Sequence, residues 1–270
     1  TLYRRHPVMR LYAVCFLTVL ACDGTCGGRR GSTGRDATAA LAVPPPNDMV
    51  HVPAGPFLMG EPAHEVELAE FWIDRTEVTQ GDYDRCVAAG ACGAVPALLD
   101  IGLPPPRYPV VNVTWHDAAA YCAWVGKQLP TEEQWEKAAR GVDGRTYPWG
   151  EDPPTCERAL FERWTPEKTD ACGEKDPYTA THPVGSHPTG ASPYGALDMA
   201  GNVLEWTTSV EAHYKVQRGG RRMEDLHASF RKLVLESPAS PKPHFQKWKN
   251  RERIVGFRCI RIPRDHEVPR

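Results

Sequence analysis

Apolar side chains recur with helical spacing twice in the middle of the chain. Ala118, Tyr121, Cys122 and Val125 stand at i, i+3, i+4 and i+7, and Trp135, Ala138 and Ala139 at i, i+3 and i+4. The first run predicts a helix capped by Thr114, led in by Pro109–Val113 and ended by Gly126. The second has a fuller set of end signals. Thr131 is its N-cap, Gln134 completes a capping box, Glu132 and Glu133 lie at the positive end of the dipole, Lys137 and Arg140 at the negative end, and Gly141 stops it. A third helix is expected after Thr79, with Tyr83, Cys86 and Val87 facing inward. Alternation with period two predicts strands elsewhere. Met49–Met59 alternates around Pro53-Ala54-Gly55 and reads as a hairpin, Val66–Ile73 as one strand, and Val203–Thr207 and Phe257–Ile262 as short strands, with loops filling the remainder. No repeat of 20–50 residues is visible. The class is α+β, two or three helices against short, mostly antiparallel strands.

Composition adds that the fold is loop-rich. The 270 residues include 23 Gly and 26 Pro, well above the roughly 12% of average usage. Mean hydropathy is -0.47 and hydrophobic content 41%, which suit a globular body of one large or two small domains. A net charge of -2 offers no polyelectrolyte signal, so nucleic acid is not an expected partner. The basic stretch Lys242–Arg253 carries Phe245 and Trp248 and reads as a solvated loop with its aromatics tucked down, an acidic peptide or glycan being the alternative partner.

The N-terminal segment reads as an export signal. Met9 is the better start than Thr1. Arg10 supplies a positive n-region, Leu11–Ala21 an apolar h-region of signal-peptide length, and Val19-Leu20-Ala21-Cys22 resembles a bacterial lipobox. Residues 1–22 are therefore expected to be removed up to a lipidated Cys22, or cleaved as an ordinary signal peptide; either way the domain is exported, as a periplasmic or surface protein tethered to a membrane in the first case. Asp23–Pro46 reads as a flexible linker with a stiff Pro44-Pro45-Pro46 end, residues 47–263 as the folded body, and Arg264–Arg270 as a charged tail. Export permits disulfides. No cysteine spacing is a C-x-x-C motif. Cys86 and Cys92 flank Gly90 at a helix end and suit a short staple, and Cys156 and Cys172 bracket a polar loop. Cys26 is left over in the linker, without a structural role.

The string KQLPTEEQWEKAARG (Lys127–Gly141), followed by YPWG (Tyr147–Gly150), resembles the signature of the formylglycine-generating enzyme, or sulfatase-modifying factor, family. Four further segments resemble that family in order: Met49–Phe57 with Met59-Gly60, Glu77-Val78-Thr79, Pro193–Trp206 and Gly256-Phe257-Arg258-Cys259. The resemblance covers nearly all of residues 47–263. It implies an elaborated C-type-lectin-like fold with little regular secondary structure, and a disulfide between Cys122 and Cys259. It also implies structural calcium at Asp198, Gly201, Val203 and Glu205, through two carboxylates and two main-chain carbonyls, a hard-oxygen set suited to Ca²⁺. The competing reading is that Asp198 and Glu205 cap turns or pair with arginines. At the family's other calcium site, Ala159 and Leu160 offer only carbonyls.

Formylglycine-generating enzymes oxidise a substrate cysteine to an aldehyde with O₂, using two cysteines that hold one copper ion. Those cysteines follow a Gly-Gly pair by four and nine residues. Here the pair is Gly219-Gly220, and the two positions hold Glu224 and Ser229. Arg221, Arg222 and Leu204 also depart from the family pattern. A carboxylate and a hydroxyl cannot replace soft thiolates on Cu(I), so copper is not expected and the family's oxidation is expected to be lost. Family relatives without the cysteine pair include an exported oxidoreductase that matures the pyoverdine chromophore. Others are sulfoxide synthases that use iron held by a helical domain absent here. Glu224 and His227 are the catalytic candidates, three residues apart. His116 reads as exposed or cap-associated, and His182 and His187 show no ligand spacing. The leading expectation is an exported relative that binds a peptide or small ligand in the family's groove. The alternatives are a different oxidoreductase on this scaffold or a structural surface lipoprotein. In this reading Lys127–Gly141 belongs to the scaffold and not to the chemistry.

Overall fold

The computed structural model describes residues 49–96, 103–164, 169–172, 181–220, 225–235 and 254–263. The export signal with Cys22, the linker with Cys26, Glu224, Lys242–Arg253 and the tail from Arg264 lie outside the described residues.

All three helices form where the caps place them: α1 Gln80–Ala88, α2 Trp115–Trp124 and α3 Glu132–Arg140. Thr79, Thr114 and Thr131 each accept the backbone N–H three residues on, and Thr114–Asp117 and Thr131–Gln134 are complete capping boxes. The strands are β1 Met49–Val52, β2 Gly55–Met59, β3 His64–Leu68, β4 Phe71–Asp74, β5 Glu162–Trp164, β6 Thr169–Ala171, β7 Leu204–Glu211, β8 Tyr214–Arg218, β9 Arg231–Leu235, β10 Val255–Gly256 and β11 Ile260–Arg261.

The expected hairpin over Met49–Met59 does not form. β1 pairs antiparallel with β4, and β2 with β3, so the Pro53-Ala54 link separates two sheets. Val66–Ile73 is likewise two strands broken at Ala69-Glu70. One sheet has the order β1-β4-β11, another β10-β7-β8-β9, and β2-β3 and β5-β6 are two-stranded ribbons. Phe257–Ile262 is not one strand either: β10 runs parallel to β7, and β11 antiparallel to β4 in the other sheet. The intervening Phe257-Arg258-Cys259 therefore crosses between sheets, and all three side chains are fully buried. The β7–β8–β9 ladder was not expected from the sequence beyond the first residues of β7.

Two apolar bodies flank this crossing. Phe257 packs edge-on to Tyr121 and Tyr83, with centroids 5.5 and 6.5 Å away, below α1 and α2. Trp135, Ala138 and Ala139 of α3 pack with Phe71, Ile73 and Ile260 of the three-stranded sheet. Three disulfides are present. Cys122–Cys259 joins α2 to the start of β11, Cys86–Cys92 staples the end of α1, and Cys156–Cys172 closes the loop carrying β5. The first spans 137 residues, and closing so long a loop stabilises by about 5 kcal/mol in the chain-entropy account.

Candidate functional site

α3 carries six buried residues out of nine, including Glu136, Lys137 and Arg140. Its polar face is covered because the β2–β3 ribbon folds over it and β7 and β8 pack beside it. The charged groups are consequently paired inside. Glu136 accepts from the Gly60 amide (2.7 Å) and from Arg140 Nη1 (2.9 Å), and it forms a close ion pair with Arg218. Arg140 also donates to the carbonyls of Arg145, Gly60 and Gly144.

Between α3, the β2–β3 turn and the 227–231 segment lies a cavity of about 660 Å³. Its charged lining is Glu61, Glu132, Glu133, Glu136, Arg218 and Arg231; His64, His227, Ser229 and Phe230 complete that side. Ser229 and His227, singled out from the sequence, thus reach one cavity, whereas Glu224 lies outside the described residues. The first turn of α3 forms a wall of it. Part of the Lys127–Gly141 segment, read from sequence as scaffold, therefore also lines this cavity.

Arg218 was not foreseen as a site residue, although it directly precedes Gly219-Gly220. Its side chain is fully buried at the end of β8. Nη2 serves Glu136 and donates to the Ala228 carbonyl at 3.0 Å. Nη1 stays 3.7 Å from Glu132, and both Nη1 and Nε lack hydrogen-bond partners among the described residues. Burial pushes this guanidinium down from its ordinary value, against the pull of Glu136. Glu132 accepts two bonds from Arg231 at 3.0 Å, yet burial pushes its carboxyl above the usual range. Tyr147 of the YPWG segment stacks on Trp149 and meets the His227 ring edge-on at 5.3 Å.

Behind the cavity lies the proposed calcium segment. The Trp135 ring faces Arg218 at 5.5 Å, and its Nε1 donates to Glu205 Oε2 at 2.8 Å. Glu205 receives Arg258 on both oxygens at 2.7–3.0 Å, the arginine pairing that the sequence left open as the alternative to calcium. Asp198 Oδ2 accepts the Gly185 amide at 2.6 Å, and Asp198 and Asn202 take left-handed φ values of 57° and 54°. Glu77 is buried beside both carboxylates. It accepts from Asn202 with one oxygen and leaves Oε2 without a partner among the described residues. Burial, reinforced by Asp198, pushes its carboxyl well up. Among the described residues no three His, Cys, Asp or Glu side chains are arranged as a metal site by themselves. At Leu160, which the resemblance placed at the family's other calcium site, the carbonyl accepts the Asn202 amide at 3.1 Å.

The remaining histidines separate. His116 is exposed on α2 with its ring edge-on to Trp115. His182 and His187 stack, and Nδ1 of one lies 3.2 Å from Nε2 of the other, a contact their spacing did not announce.

The profile of a family described as "Sulfatase-modifying factor enzyme 1-like domain" matches residues 36–263. The formylglycine-generating enzyme of Bos taurus is 28% identical, with 68% of this chain and 68% of that protein covered. A Mus musculus protein named "Inactive C-alpha-formylglycine-generating enzyme 2" is 34% identical, over 60% of this chain and 68% of its own length. Among solved structures, PvdO from Pseudomonas aeruginosa superimposes with a TM-score of 0.56 at 25% identity, covering 78% of this chain and 93% of that one.

Proposed function

Because the chain belongs to the sulfatase-modifying factor enzyme 1-like family, with its α+β, C-type-lectin-like fold, we propose that it binds a peptide or small ligand in the cavity beside α3 and does not perform formylglycine chemistry. The observation that carries this reading is Ser229 in the cavity wall, at a position where the resemblance calls for a copper-binding cysteine. A hydroxyl is a hard, weakly acidic donor and does not replace a thiolate on Cu(I). Glu224 at the other position supports the same conclusion from sequence. The likeness to a mammalian protein named as inactive agrees with it.

The reading extends to export through the signal at residues 9–22, with Cys22 as the lipid anchor. It also extends to a structural calcium ion. Three buried carboxylates, Glu77, Asp198 and Glu205, share one guanidinium, Arg258, and Glu77 Oε2 is orphaned. Such a cluster is relieved by a proton or by a cation: burial already pushes Glu77 well up, and a bound cation would favour the charged forms of Asp198 and Glu205. The all-oxygen donor set fits Ca²⁺. Asp198 and the main-chain oxygens of Gly201 and Val203 would hold it, with Glu205 shared with Arg258.

The test of lost chemistry is direct. The purified protein is titrated with Cu(I) and incubated with O₂ and a cysteine-bearing sulfatase peptide, and the peptide is weighed by mass spectrometry. No stoichiometric tight Cu(I) and no aldehyde are expected; tight copper with aldehyde formation sinks the reading. A different oxidoreductase remains the second reading, favoured by the imidazoles of His227 and His64 in the cavity lining. It requires a redox metal or cofactor to co-purify, and His227→Ala to abolish the turnover of whatever substrate is found.

A further inference from the structure

The cavity is electrically two-sided, and its two sides lie at different depths. On the inner side Arg218, fully buried and backed by Arg140, holds Glu136, while Arg231, itself exposed, holds Glu132. The two acids are occupied, Glu136 by Arg140, Arg218 and the Gly60 amide, and Glu132 by Arg231. Arg218 keeps donors on Nε and Nη1 that nothing among the described residues accepts. A buried charged donor left unmade is costly, and the group that restores it best is an anionic oxygen. At the rim the sign is reversed. Glu133 is half-buried and Glu61 is exposed, and neither forms an ion pair among the described residues. Phe230, Met59 and Val66 add apolar surface between floor and rim.

Resting on the reading of this cavity as a ligand site, we infer that it takes a free amino acid or a short peptide with both termini unblocked. The carboxylate enters inward against Arg218, and the ammonium stays outward among Glu133 and Glu61. A volume of about 660 Å³ is in the range of small-ligand pockets. A purely anionic ligand would meet the rim carboxylates, and a purely cationic one would leave Arg218 unsatisfied. A zwitterion answers both.

Three probes separate these contributions in calorimetric titrations of the full chain: trialanine, N-acetyl-trialanine and trialanine amide. Trialanine is expected to bind, the acetylated probe about fivefold more weakly, the scale of one half-exposed ion pair, and the amide below detection. Glu133→Gln should weaken trialanine by a similar factor and leave the acetylated probe unchanged. That variant touches no buried pair, so it keeps the test valid where Arg218→Gln fails to fold. Equal binding of all three probes, indifference to Glu133→Gln, or no binding at millimolar concentration overturns the inference. An uncharged ligand that binds the wild type and is lost in Phe230→Ala would also overturn it while leaving the cavity reading intact. Copper binding with aldehyde formation would instead remove the reading beneath it.

Discussion

Lys137 looks from sequence like a solvated complement to the C-terminal end of a helix dipole. In the structure its side chain is buried, and Nζ donates to the carbonyls of Pro53 (2.8 Å) and Gly55 (2.7 Å). The link between β1 and β2 turns away from a hairpin, and its carbonyls find their donor on α3. Lys137→Met keeps the apolar stem and removes the head, so it should cost about 2–3 kcal/mol through two unmet carbonyls. Burial pushes the Lys137 ammonium below its ordinary value. A folded-state value below the unfolded one gives a contribution that is complete above about pH 10.4 and lost as the pH falls through the lowered value. The margin of wild type over Lys137→Met should therefore widen as the pH is raised toward the lysine range, which urea midpoints measured from neutral to alkaline pH would show. A margin that narrows instead contradicts this account. Arg218 teaches the same lesson at the cavity. The pattern of charges on α3 and β8 is readable in the sequence, but which charges are buried depends on a ribbon, β2–β3, that closes over them.

Helices were legible because their information is local. Thr79, Thr114 and Thr131 cap within three residues, and Gly126 and Gly141 follow the last turns of α2 and α3. Strand pairing is not local. Nothing in Met49–Met59 says that β1 chooses β4 and β2 chooses β3, since alternation fixes which face is buried and leaves the partner open. The crossing at Gly256-Phe257-Arg258-Cys259 is the element where four neighbouring residues serve four different surroundings. Phe257 enters the aromatic core, Arg258 the carboxylate cluster, and Cys259 the long disulfide. Gly256 is there because a Cβ would meet the Val110 carbonyl at 2.7 Å. Gly256→Ala must displace that backbone, so a loss of about 1–3 kcal/mol is expected, read as a lower melting temperature. An unchanged melting temperature would mean that the crossing yields more easily than its packing implies.

At the scale of the whole molecule, Arg258 and its carboxylates form the knot. Arg258 donates to the carbonyls of Asp74, Arg75 and Leu197 as well as to Glu205, so it ties the three-stranded sheet to the central loop and to β7. Trp135 extends the tie to α3 and, through its ring face, to Arg218 at the cavity. One guanidinium serves three carboxyl groups, and burial already pushes Glu77 well up, toward its neutral form. A calcium ion held there acts on stability by mass action, contributing about 2.7 kcal/mol at one hundred times its dissociation constant, or roughly 5–10 °C in melting temperature for a domain of this size. Calcium should raise the melting temperature of the wild type by that amount, EGTA should reverse it, and magnesium, which demands a tighter octahedron, should do so less. Asp198→Ala should abolish the calcium response. Glu77→Gln, which retains the bond from Asn202 and removes the cost of burying or protonating a carboxylate, should raise the calcium-free melting temperature. A wild type indifferent to calcium, together with a Glu77→Gln that is no more stable than the parent, would show that Arg258 alone balances the cluster and that the knot is an ion-pair network without a metal.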